Sequence, residues 1–134
     1  MVKNAVLTME VLHEFNLVFY RVGLKIMMKR YGQVIGLRPE KIEEYKRLHA
    51  AVWPQIRKLI SECSIKNYSI FLKDSTLFAY FEYHGSNFDE DMKKMAENEI
   101  NKKWWEQCIP CQLPLETRAP GEWWANMEEV FHLD

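Results

Sequence analysis

A tyrosine and a histidine four positions apart, Tyr45 and His49, stand in the run Glu43-Glu44-Tyr45-Lys46-Arg47-Leu48-His49. On a helix that spacing puts a phenol and an imidazole on one face, directed at one spot. Imidazole, with an unperturbed pKa of about 6.5, can give or take a proton at neutral pH, so the pair could carry general acid–base catalysis without a covalent nucleophile. The competing reading makes both residues part of the core with satisfied hydrogen bonds, since Tyr and His are intermediate in burial. Burying two polar tips is costly unless they find partners, and a polar cavity between helix and sheet would supply them. A second constellation is the pair Trp104-Trp105. Adjacent helical residues diverge by about 100°, so both cannot share a narrow buried stripe, and one is expected to face a cavity. Plain core packing is the alternative. Glu82, a carboxylate among apolar strand residues, could orient His49, act as the second acid or base, or lie at the surface of the sheet.

Other chemistries find less support. Cys108 and Cys111 form a C-x-x-C pair, but it comes after an expected helix instead of opening one, so the helix dipole has the wrong sign to lower a thiol pKa. No second such pair or closely spaced histidines complete a zinc site, and a structural role is expected. Three cysteines are too few for a disulfide framework, which points to a reducing compartment, the cytoplasm. A formal net charge of -1, with acids and bases interspersed, gives no basis for binding a phosphate backbone. The apolar piece Leu17-Val18-Phe19-Tyr20 is interrupted by charges on both sides and makes neither a membrane span nor a good export signal.

The chain of 134 residues suits one domain. Residues 1–27 do not share the pattern of the rest of the chain and are read as an N-terminal extension outside the fold, with the domain at 28–134. A strand is expected over residues 31–37, ended by Arg38-Pro39. Pro39 and the acids Glu40, Glu43 and Glu44 then favour a helix start. The stripe Ile42, Tyr45, Leu48, His49, Val52, Ile56, Leu59, Ile60 and Cys63 continues that helix, with a kink or break at Trp53-Pro54. Residues 65–72 and 77–83 are rich in β-branched and aromatic side chains, and a polar connection between them predicts a hairpin. Asn87 and Glu90 read as a capping box ahead of a second helical stretch carrying Met92, Met95, Trp104 and Trp105, with a break near Asn98. Residues 110–121 carry three prolines and are expected to be irregular, and residues 129–133 to form the last strand.

The order βαββαβ specifies a ferredoxin-like α+β sandwich, one antiparallel sheet with both helical layers on one side. Its other face would carry apolar or aromatic residues in either parity: Leu77, Ala79, Phe81 and Tyr83, or Phe78 and Tyr80. A bare face of that kind predicts a second copy packing sheet on sheet, a homodimer.

The runs Glu43-Glu44-Tyr45-Lys46-Arg47-Leu48-His49-Ala50-Ala51-Val52-Trp53-Pro54, Asn67-Tyr68-Ser69-Ile70, Trp104-Trp105 and Glu128-Glu129-Val130-Phe131-His132-Leu133, in this order, resemble the L-rhamnose mutarotase family. The resemblance covers the chain after Met28. It implies a dimeric α+β barrel that interconverts the anomers of a monosaccharide, L-rhamnose or a related 6-deoxy sugar, with neither metal nor organic cofactor. It further implies His49 as proton donor, Tyr45 and Tyr68 lining the sugar site, and Trp104 with Trp105 holding the sugar. Indole suits that task, because sugar C–H faces lie well on it and its N–H can donate to a hydroxyl. The segment with Trp123 and Trp124 is longer and more aromatic than in some relatives; those rings could cap the pocket or make a dimer contact. Other chemistries on the same architecture are a cofactor-free monooxygenase and a non-catalytic small-molecule-binding protein.

Overall fold

A computed structural model describes residues 28–134; the extension expected at residues 1–27 lies outside them. Strand β1 (Lys29–Leu37) runs into a 3-10 turn at Pro39–Lys41 and helix α1 (Ile42–Ala50). Trp53, extended at φ -57° and ψ 136°, then separates α1 from α2 (Pro54–Glu62). This is the break expected there, because a residue before proline is pushed out of the helical region by the proline ring. Strands β2 (Ile65–Lys73) and β3 (Thr76–Tyr83) pair antiparallel across Asp74-Ser75, where Asp74 takes a positive φ of 52° that its short polar side chain tolerates.

Helix α3 (Phe88–Glu97) starts at Asn87, whose side chain accepts from the Glu90 N–H at 3.2 Å. The other half of the cap departs from the capping box: the Asn87 N–H donates to the Tyr83 hydroxyl, at 3.1 Å, with no return from the Glu90 side chain. Asn98 ends α3 and caps α4 (Glu99–Cys108) through its side chain, so the expected break is a shared capping residue.

The sheet order is β2-β3-β1-β4, all antiparallel, as a ferredoxin-like sandwich requires. Odd-numbered residues of β1 and β3 face the helices. Ile35, Leu37 and Leu77 pack with Tyr45, Ile56, Trp104 and Cys108, while Phe81 and Tyr83 pack with Ile65, Phe88, Met92 and Met95.

The last strand is not where the sequence pattern put it. Two short pieces, β4 (Gln112–Leu113) and β5 (Ala125–Met127), pair with the free edge of β1, and residues 114–124 loop out between them. Residues 129–133 form no strand; Val130 is 93 % and Phe131 82 % exposed. The physical reason is register. With Gly32 opposite Met127, the pairing places Glu129 beside Arg30, where a bidentate ion pair forms (2.8 and 3.2 Å), and β1 ends one residue earlier in the chain, at Lys29.

Candidate active site

Helices α1, α2 and α4 and the edge strand β2 enclose a cleft of about 1060 Å³, a size typical of small-molecule sites. His49, Tyr68, Trp104 and Trp105 all stand in its wall, together with Asn101 and, toward the rim, Arg57, Lys58 and Lys66. Residues far apart in the chain are thus brought to one space. His49 is a wall residue of that space.

His49 is held by α1 itself. Its Nδ1 lies 2.9 Å from the backbone carbonyl of Tyr45, one turn earlier. A carbonyl only accepts, so Nδ1 carries the proton and, in the neutral ring, Nε2 bears the lone pair. Desolvation holds the imidazole below its ordinary pKa, against the raising effect of that carbonyl, so the neutral form prevails at pH 7. Tyr45 is not in the cleft wall. Its buried ring lies behind His49, stacked on the imidazole with centroids 4.1 Å apart and planes 25° apart. Burial pushes its phenol far above the ordinary range, so it stays protonated.

The two tryptophans divide as adjacent helical positions must. Trp104 is 6 % exposed and meets His49 edge-on at 5.4 Å and Trp53 at 5.2 Å; Trp105 is 36 % exposed. Tyr68 reaches the cleft through a bulge. Between Lys66, opposite Glu82, and Ser69, opposite Tyr80, β2 has two residues where β3 has one. Asn67 takes a positive φ of 50°, and Tyr68 turns to the helix side against Phe81. Desolvation raises the Tyr68 phenol to about 12, which keeps it a donor.

Glu82 does not face His49. Strand alternation puts it on the opposite side of the sheet, where its carboxylate accepts from Asn67 (2.8 Å) and Tyr80 (3.2 Å) and meets His84 at 3.0 Å. The bonds from Asn67 and His84 lower its pKa, the reverse of what a general acid needs. The assignment to orientation of His49 or to proton transfer is therefore corrected: Glu82 ties down the bulge that aims Tyr68.

Cys108 and Cys111 are buried and free, and desolvation raises both thiols, Cys108 to about 12, so neither is a nucleophile at neutral pH. Among the described residues no group of three or more His, Cys, Asp or Glu side chains is placed to hold a metal ion, and no helix is long and apolar enough to cross a membrane. Gln112 had no signal in the sequence: it is a buried amide in a segment read as irregular, and it contacts Tyr45. Asn101 was hidden in the same way, as a polar residue of a helix whose amide bonds the Met95 carbonyl beside the cleft.

Comparison with known proteins agrees with this geometry. The family model for L-rhamnose mutarotase matches residues 30–133. The chain belongs to the L-rhamnose mutarotase family. It is 36 % identical over 109 residues to the L-rhamnose mutarotase of Oceanobacillus iheyensis and 37 % identical over 109 residues to that of Lactiplantibacillus plantarum; each alignment covers 80 % of this chain and 100 % of the relative. The crystal structure of an L-rhamnose mutarotase from Formosa agariphila superposes with a TM-score of 0.62 at 27 % identity, covering 79 % of this chain and 99 % of that one. Tetracenomycin F2 cyclase from Streptomyces glaucescens superposes with a TM-score of 0.61 at 11 % identity over 79 % of this chain and 97 % of that one, a likeness of fold. The mutarotase family's architecture, the dimeric α+β barrel, is thus the one this chain adopts.

Proposed function

We propose that this isomerase interconverts the anomers of L-rhamnose, or a related 6-deoxy sugar, with His49 as the proton-transfer group. The carrying observation is the imidazole in the cleft wall, Nδ1 tied to the Tyr45 carbonyl and Nε2 left for a ligand. Neutral Nε2 takes the proton from the anomeric hydroxyl as the bond from the anomeric carbon to the ring oxygen breaks, with the electron pair passing to that oxygen. The imidazolium then protonates the ring oxygen. Both oxygens share one carbon, so one imidazole reaches both. After the aldehyde rotates, the reverse sequence closes the ring on its other face and the protons balance. Histidine is thus acceptor first and donor second, and the donor role implied by the family resemblance is the second half of a shuttle. Tyr68 as a neutral phenol, Trp105 as a wall and Trp104 as support hold the sugar.

Saturation-transfer NMR between the two anomer signals of L-rhamnose tests this, with exchange well above the buffer rate expected and its absence overturning the reading. The acid limb of the pH profile gives a second check. The active form is the neutral ring, so the enzyme-catalysed rate should fall as pH drops, with a midpoint below the ordinary 6.5 of histidine. A midpoint above 6.5 would mean a different group titrates.

The protein acts as a homodimer. The sheet face away from the helices presents Phe71, 63 % exposed, with Phe78, Leu113 and Met127, and a second copy packed sheet on sheet covers it. Sedimentation should give twice the chain mass, and Phe71→Asp with Phe78→Asp should give monomers. Three cysteines without a disulfide fit the cytoplasm.

A further inference from the structure

The loop of residues 114–124 interrupts the fourth strand and returns Trp123 to Gln112. The Gln112 side chain, only 6 % exposed, lies between two rings: its Oε1 is 2.7 Å from Trp123 Nε1, and its Nε2 is 3.4 Å from the Tyr45 hydroxyl. This amide has one admissible orientation. An indole N–H can only donate, so it must meet the oxygen; the flipped amide would oppose two donors. Nε2 is thereby committed to Tyr45, whose hydroxyl oxygen accepts. The far end of the Tyr45 ring is pinned in this way, and its face stacks on the imidazole at 4.1 Å, while the Tyr45 backbone carbonyl, held by α1, takes Nδ1–H.

We propose that Trp123 and Gln112 are positioning residues for His49, forming a clamp that fixes the Tyr45 ring against which the imidazole is set. This inference rests on the mutarotase reading of the cleft. Neither residue touches the imidazole, so the clamp acts on the orientation of the proton-transfer group rather than on sugar affinity, and a small displacement of such a group is costly in rate. It also keeps water from the space beside Tyr45, consistent with the desolvation of both rings.

Gln112→Met keeps the volume and removes both bonds. It should lower kcat about tenfold with KM for L-rhamnose within about twofold. In the sugar-free protein, the NMR titration midpoint of His49 should rise toward 6.5 as water enters. The groups around the imidazole are the phenols Tyr45 and Tyr68 and the cationic Arg57, Lys58 and Lys66 on the rim, all unchanged in this variant. Gln112→Glu, whose carboxylate accepts from both Trp123 and Tyr45, should recover most of kcat. Adding Gln112→Met to Tyr45→Phe should cost nothing beyond Tyr45→Phe, because the hydroxyl being held is already gone. Trp123→Phe, at a partly exposed position, shifts kcat and the His49 midpoint in the same direction and carries the test if Gln112→Met does not fold. Wild-type kcat in Gln112→Met, effects that multiply with Tyr45→Phe, or an unmoved His49 titration would each overturn the clamp. Failure of the unaltered chain to exchange anomers overturns the mutarotase reading alone, and the His49 titration still decides the clamp.

Discussion

His49→Ala should lower the enzyme-catalysed exchange of L-rhamnose anomers by at least about a hundredfold while the protein stays folded. Positioned proton transfer contributes roughly a hundred- to ten-thousandfold to rate, and among the described residues that line the cleft there is no second imidazole and no carboxylate to take over. Tyr45, which is buried, and Tyr68, which is partly exposed at the cleft, are phenols whose pKa values desolvation has raised, and Glu82 is on the other face of the sheet. The fold should tolerate the change because His49 belongs to neither buried cluster; the Tyr45 carbonyl keeps its helical partner within α1. The Tyr45 ring loses one stacked face, which costs little next to its burial against Ile35, Leu37 and Trp104. Saturation-transfer rates for variant and wild type at equal concentration, with circular dichroism as the control for folding, decide it. An unchanged rate in a folded variant would remove His49 from the reaction.

What could be read from the sequence was what local pattern determines. The Tyr45–His49 spacing gave one face because α1 is regular there, and Trp53-Pro54 broke the stripe because proline restricts its predecessor. That Trp104 and Trp105 differ in exposure follows from helix geometry, but which of the two is the more open does not. Features that depend on a partner strand were not visible. Gln112-Leu113 and Ala125-Asn126-Met127 are strands because the edge of β1 offers them hydrogen bonds, and their own residues give no period. Glu129 to Leu133 have strand-like residues but almost no strand left to pair with. The side of the sheet on which Glu82 lies depends on the parity of β3, which was undetermined because both parities are apolar. Tyr68 is in the cleft only through the extra residue in β2, and a bulge shifts every later side chain, so no alternation read across it is continuous.

Trp104→Ala and Trp105→Ala should separate support from sugar contact, although the two residues are neighbours in chain and cleft. Trp104 is packed into the main core and braces both His49 and Trp53. Truncating a buried tryptophan leaves a cavity and costs about 3–5 kcal/mol, which in a domain of this size lowers the melting temperature by more than about 10 °C. Catalysis in Trp104→Ala should fall with it, because the imidazole loses its edge contact. Trp105 lines the cleft and is 36 % exposed, so Trp105→Ala should change stability by less than about 1 kcal/mol and act on the sugar. A sugar C–H face lying on indole is an interaction made before, during and after ring opening, so its loss raises KM and leaves kcat nearly unchanged. About tenfold in KM corresponds to 1.4 kcal/mol, a reasonable share for one such wall. Thermal melts and the dependence of exchange rate on L-rhamnose concentration read the two effects separately. If Trp105→Ala instead unfolds the protein, or leaves KM unchanged, the sugar does not lie on that ring, and the binding surface must be sought among Tyr68 and the cationic rim of Arg57, Lys58 and Lys66.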